Sequence, residues 1–136
     1  MRRAICVLAT MVVLSGCDSL DPLIVQLQDD RGAAAKVAGS WTGNATVSAQ
    51  SLAFTLTVQD TTVTGTGSYS AETHGGNLDV QGSATRSGVR LDLFLDDLST
   101  AHFVGTQPSS TTLTGTLTYQ PVNGTASSQA ITFTKQ

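Results

Sequence analysis

From residue 39 onward the chain alternates apolar and polar positions, the period of a half-buried strand. The clearest run places Leu52, Phe54, Leu56 and Val58 on one side, against Ala53, Thr55, Thr57 and Gln59 on the other. The same alternation predicts eight strands, at 41–48, 51–59, 62–70, 77–85, 88–95, 100–106, 111–119 and 129–135. Between them lie short stretches rich in Gly, Asn, Asp, Ser and Pro, among them Asp60-Thr61, His74-Gly75-Gly76-Asn77, Arg86-Ser87-Gly88 and Asp96-Asp97. Such residues supply the backbone angles that tight turns need. Links this short make successive strands antiparallel, because a parallel crossover takes a dozen residues or more. A meander of eight strands has two open edges, and closing the sheet removes them. The expected fold is therefore all-β, an eight-stranded antiparallel up-and-down β-barrel over residues 39–136. A two-sheet β-sandwich is the alternative, since periodicity does not separate the two.

Parity assigns an inward set: Trp41, Val47, Leu52, Phe54, Leu56, Val58, Val63, Tyr69, Leu78, Val80, Val89, Leu91, Leu93, Phe103, Leu113, Leu117, Tyr119, Ile131 and Phe133. Threonine, serine and glutamine fill the other face with Arg90 and Asp92, where the β-branch of Thr suits the pleat. A barrel spanning an outer membrane would carry its apolar band outside. Here it lies inside, so a soluble barrel is expected. Glycines also fall on the inward face, at Gly43, Gly65, Gly67, Gly82, Gly105 and Gly115. In a strand they permit sharp curvature or close approach of another group. An eight-stranded barrel is just wide enough to be filled by side chains or to hold one small molecule. Six inward aromatics favour a filled interior. The competing expectation is a cavity for a small apolar ligand, lined by Gly43, Phe54, Gly65, Gly67, Tyr69, Gly82, Phe103, Gly105, Gly115, Tyr119 and Phe133.

The N-terminus follows different rules. Arg2 and Arg3 precede an apolar run over residues 4–13 that only Thr10 interrupts. That run is shorter than the roughly 20 apolar residues a membrane-spanning helix needs, and it suits a secretory signal. Leu14-Ser15-Gly16-Cys17 follows directly and resembles the lipobox of bacterial lipoproteins. The resemblance implies cleavage before Cys17 and a lipid on its thiol. Residues 1–16 are then a signal peptide and 17–38 a lipidated tether. In that tether Asp21-Pro22 reads as a helix start, with Leu20, Leu23, Ile24 and Leu27 on one face of a short helix. Arg31-Gly32-Ala33-Ala34-Ala35-Lys36 reads as a spacer, and a solvated leash is favoured over a plug for one end of the barrel.

Processing changes the charge and the redox chemistry. The whole chain carries seven basic and ten acidic residues. Loss of Arg2 and Arg3 leaves five against ten, a net charge near −5, which disfavours nucleic acid as a partner. Cys6 leaves with the signal and Cys17 is consumed by lipid, so no disulfide can form within one mature chain. The expected address is the bacterial cell envelope, with the domain outside the cytoplasm. Asp18 after the cysteine resembles an inner-membrane retention signal of some Gram-negative bacteria, and the choice between inner and outer membrane stays open.

A second resemblance lies in the barrel. Gly39-Ser40-Trp41 opens the first strand and resembles the Gly-x-Trp signature of the calycins, the group of lipocalins and avidins. The resemblance implies a basic residue of the last strand packed across the Trp. Lys135 shares parity with Ile131 and Phe133, so it is the candidate. Gly39, Trp41 and Lys135 are structural in that comparison and imply no ligand.

Chemistry-bearing patterns are sparse. His74 and His102 have no ligand spacing between them. Asp92, Asp96 and Asp97 lack the alternating oxygens of a calcium loop and read as a solvated acidic rim. No Gly-x-Ser-x-Gly elbow and no phosphate-binding glycine loop occur. No enzyme activity, cofactor or metal is expected. The expectation is a monomeric, non-catalytic binding module on a lipid anchor, for a small apolar ligand. The alternatives are an envelope-protein binder such as a hydrolase inhibitor, and a structural envelope component.

Overall fold

A computed structural model describes residues 21–46 and 48–136. The signal segment, the lipobox cysteine Cys17 and the inward candidate Val47 lie outside the described residues. One helix, α1 (Asp21–Ala35), precedes eight strands. They are β1 (Gly39–Ala45), β2 (Gln50–Gln59), β3 (Thr62–Ala71), β4 (Gly75–Thr85), β5 (Gly88–Leu95), β6 (Thr100–Ser109), β7 (Thr112–Gln120) and β8 (Ser127–Lys135). Each strand pairs antiparallel with the next, and β8 returns to β1, so the sheet is a closed barrel in sequence order. This is the expected up-and-down barrel and not the sandwich. It is also an architecture consistent with a calycin-like fold.

Local chemistry explains the turns. The two-residue link between β2 and β3 turns on Asp60, whose φ of 58° lies in the left-handed region that Asp tolerates better than most residues. Two stretches expected as turns are strand instead. Gly75 and Gly76 extend β4, and Pro108 lies within β6, where the register against β7 shifts between Thr106 and Ser109. A proline lacks a ladder donor, so it belongs at such an irregularity.

Burial alternates along the strands as parity requires. Leu52, Phe54 and Leu56 are buried while Ala53, Thr55 and Thr57 are exposed. Across the outer wall Thr55 faces Thr66 and Thr57 faces Thr64, with a hydroxyl contact of 3.1 Å in the second pair. The barrel centre is an aromatic cluster. Phe133 meets Phe54 at 5.0 Å and Phe103 at 5.3 Å between ring centroids, both edge-on. Edge-on pairs set a positive ring edge against a negative face, adding to the gain from burial alone.

The strands also give the barrel two ends. Links β2–β3, β4–β5 and β6–β7 lie at the end where β1 starts, beside α1; the other links lie at the distal end. At the α1 end the leash expectation is corrected. Residues 31–35 are helical, not a spacer, and the helix runs for 15 residues. Alanine is the strongest helix former, so Ala33-Ala34-Ala35 propagates the helix readily. Its C-terminal half docks on the barrel. Ala34 and Val37 are buried, Asp30 accepts from the Arg86 backbone N–H at 2.9 Å, and Arg31 pairs with Asp60 at 3.0 Å. The plug is not made by the expected leucine face, because Leu23, Ile24 and Leu27 are at least half exposed.

Candidate functional site

Three places merit chemical scrutiny: the interior, the α1 end and the distal end.

The interior does not keep the space that the glycines suggested. A Cβ on Gly43 would run into the Phe133 ring. One on Gly65, Gly67 or Gly82 would overlap a backbone carbonyl of the neighbouring strand, from Thr55, Ala53 or Arg90. Gly105 and Gly115 face each other across β6 and β7, and a Cβ on Gly105 would lie 2.8 Å from the Gly115 Cα. These residues let strands curl tightly against one another, and the gap each might leave is filled by its neighbour. Phe54, Phe103 and Phe133, the other central residues expected to line a cavity, pack on each other instead. At these positions the glycines and phenylalanines meet protein atoms. A concavity of about 330 Å³ does exist, but it is an open groove on the outer wall, lined by Thr42, Asn44, Ser51, Ser68, Thr132 and Thr134 among others.

The α1 end is sealed. Gly39 has φ of 129°, so its backbone requires glycine, and the Lys135 side chain lies over the space a Cβ would take. Trp41 is fully buried, and its Nε1–H donates to the Val37 carbonyl at 2.8 Å. Trp41 and Lys135 are direct partners in the β1–β8 ladder. The Lys135 ammonium stands 5.3 Å from the indole centroid, within cation–π range. Its Nζ also donates to the Lys36 carbonyl at 3.1 Å. Gly39, Trp41 and Lys135 thus meet as a structural latch, and Lys135 is spent on the helix terminus and the indole.

The distal end is polar where the other is apolar. Tyr69 is buried, and its hydroxyl donates to Asp96 at 2.9 Å. The other Asp96 oxygen accepts from the Asn77 backbone N–H at 2.8 Å. Gly76 makes this possible, because any side chain there would overlap the Asp96 carboxylate. The Asn77 N–H and then the Tyr69 hydroxyl hold the Asp96 carboxyl below its usual range. Burial, and then the hydrogen bond to Asp96, push the Tyr69 hydroxyl up to about 12. Asp97 accepts from the Ser99 backbone and hydroxyl and lies 3.8 Å from His74. Tyr119, the other tyrosine of the expected cavity, is half-buried against the core.

The acidic rim expected from Asp92, Asp96 and Asp97 is therefore divided. Asp96 and Asp97 tie the distal loops, whereas Asp92 meets His102 Nδ1 at 2.6 Å on the outer wall. The Asp96 clamp is nearly silent in the sequence. Its only linear signal is Gly75-Gly76 before Asn77, which read as a turn. Among the described residues no three His, Cys, Asp or Glu side chains gather where they could hold a metal.

Apolar exposure marks the same distal end. Leu98 sits in the β5–β6 link with 80 % of its surface exposed and φ of 69°. Phe94 on β5 and Val122 in the β7–β8 link are exposed as well. A leucine in the left-handed region strains against its own Cβ, by roughly 1–2 kcal/mol. The β5–β6 turn sets this conformation: the Leu98 N–H donates to the Leu95 carbonyl and the Leu95 N–H to the Ser99 carbonyl, each at 3.0 Å.

Comparison with protein-family models and with curated proteins finds no match for the chain. The functional reading rests on the geometry.

Proposed function

We propose that the chain is a lipid-anchored protein of the bacterial cell envelope whose barrel is a rigid, non-catalytic protein-binding module. Cys17 carries the lipid, and the distal rim meets the partner. The observation that carries the binding half is Leu98: an almost fully exposed leucine, held in a left-handed conformation on a loop of the distal end. Exposed apolar side chains on loops set by a rigid scaffold are how small β-domains present a contact surface. The filled centre supports a protein partner over a small apolar ligand. The Phe54, Phe103 and Phe133 rings occupy the volume that a ligand would need. The rim also argues against a purely structural barrel, which has no use for strained apolar loop tips.

Two measurements test the two halves. Labelled fatty acid should enter the wild-type chain and not Cys17→Ser; incorporation into the variant would overturn the anchor. For the binding half, envelope proteins are cross-linked to the full chain and to a Leu98→Asp, Val122→Asp variant. A specific adduct formed by wild type and lost from the folded variant is expected. Equal adducts, or none, would return the barrel to the structural reading. An apolar fluorescent probe bound at one per barrel would restore the small-ligand reading.

A further inference from the structure

Among the described residues, half of the large exposed hydrophobics lie together on the first turns of α1: Leu23 (63 %), Ile24 (50 %), Val25 (53 %) and Leu27 (51 %). Nothing in the barrel covers them, although the same helix docks firmly a turn later. The helix is divided along its length. Asp29, Asp30 and Arg31 turn to Arg86 and Asp60 of the barrel, and Ala34 is buried against it. The charged residues of the C-terminal half are thereby engaged at the barrel, while the N-terminal half offers solvent an apolar surface with only Gln26 interposed.

We infer that this N-terminal half of α1 is a membrane-docking tip, entering the boundary between headgroups and acyl chains of the bilayer that holds the lipid on Cys17. The inference rests on the lipoprotein reading and adds the partner surface and the orientation of the barrel. Chain length commits the tip to lipid rather than to a second copy. Only four residue steps separate Cys17 from Asp21, with three residues between them. Fully extended, they reach no more than about 14 Å, so a lipid embedded at Cys17 keeps the helix start at the bilayer surface. Residues 23–27 span only about 7 Å along a helix axis, within the roughly 5–10 Å depth at which interfacial helices lie. Asp18 and Asp21 both precede these residues in the sequence and keep the chain near the headgroups, since burying a carboxylate in the hydrocarbon is costly. An acyl anchor gains stability from a second membrane contact, and the tip supplies one. The C-terminal half is braced by ion pairs and by the Lys36 carbonyl, which accepts from both Lys135 and Gln107. The barrel is therefore carried on a stiff bracket, with the Leu98 rim facing away from the lipid.

The mature, lipidated chain has no free thiol, because Cys6 is removed and Cys17 is modified. Ile24→Cys and Val122→Cys each give a single site for an environment-sensitive fluorophore. Both labelled proteins are placed in phosphatidylcholine vesicles, with a quencher fixed to the upper acyl chain. Loss of emission at position 24, with none at position 122, is expected. A Leu23→Asp, Leu27→Asp variant, altered only at exposed positions, should leave the vesicles faster on dilution. Protein that sediments with vesicles while position 24 stays in water and unquenched would overturn the tip and spare the lipoprotein reading. A position 24 shielded from water but untouched by the lipid quencher would assign the surface to a second copy. Protein that does not sediment with vesicles would overturn both readings at once.

Discussion

The two ends of this barrel solve the same problem with different chemistry. At the α1 end the chain folds back on itself, and residues adjacent in sequence to the first strand close the opening. Val37 and Ala34 bring apolar bulk, and the Trp41 indole spans from the core to the Val37 carbonyl. At the distal end no such segment exists among the described residues. A tyrosine of β3 and a carboxylate of the β5–β6 link take its place, with Tyr69 and Asp96 joined at 2.9 Å. The first closure is made of burial, which is non-directional and tolerates small shifts. The second is made of hydrogen bonds, which fix loop positions sharply but depend on protonation. On the proposed binding reading, the second kind of closure holds the loops in place and leaves Leu98 and Val122 exposed.

The comparison breaks most visibly at Trp41. Trp41→Ala should cost about 3–5 kcal/mol, the usual range for emptying a buried Trp site. Against a total of about 5–15 kcal/mol, that leaves a marginal fold, read from chemical denaturation. A midpoint unchanged from wild type would show that the α1 end is not sealed through the indole.

The distal clamp should give a smaller effect with a pH signature. Tyr69→Phe should cost about 1 kcal/mol near neutrality, the net worth of one hydrogen bond. Its sign with pH follows from linkage. Tyr69 is held neutral in the fold up to about 12, above the ordinary tyrosine value near 10, so its contribution is complete below about pH 10 and is lost as pH rises towards 12. Asp96 works the other way. Its lowered folded value means a contribution present above the ordinary aspartate range and lost as pH falls through the folded value. Denaturation midpoints across pH should therefore fall at both extremes, and Tyr69→Phe should flatten the alkaline arm. An alkaline arm identical in wild type and variant would remove the clamp from the account.

The smallest effect sharpens the contrast by its sign. Leu98→Gly should stabilise the fold by about 1 kcal/mol, because glycine adopts the left-handed region without the Cβ clash, while the partner adduct is lost. Destabilisation instead would mean that Leu98 packs on the barrel and is not held out for a partner.

Much of this was readable from one dimension, and the reasons differ residue by residue. Leu52, Phe54 and Leu56 were placed inward because strand parity is a local property of the backbone. Lys135 was placed beside Trp41 because closing eight antiparallel strands in order brings the last strand's end to the first strand's start. The glycines misled because absence of a side chain has two outcomes. Whether Gly43 makes room for a ligand or for Phe133 depends on a residue 90 positions away. Helix α1 was read too short because the alanines from 33 to 35 carry no apolar stripe, and their docking comes from Asp60 and Arg86 on distant loops.

What the amino-acid order determined by itself was therefore the periodic part: eight strands, their inward faces and the antiparallel closure. Each of these follows from chemistry within a few residues or from chain order alone. What only the tertiary structure decided was how space and charge were shared out at the two ends. Tyr69 and Asp96 lie 27 residues apart and meet only because β3, β4 and β5 lie side by side in the closed sheet. The fate of each inward gap, and of each acidic side chain on the rim, depended on which distant neighbour the closed sheet brought against it. Packing is a relation between residues far apart along the chain, and local pattern carries no record of it.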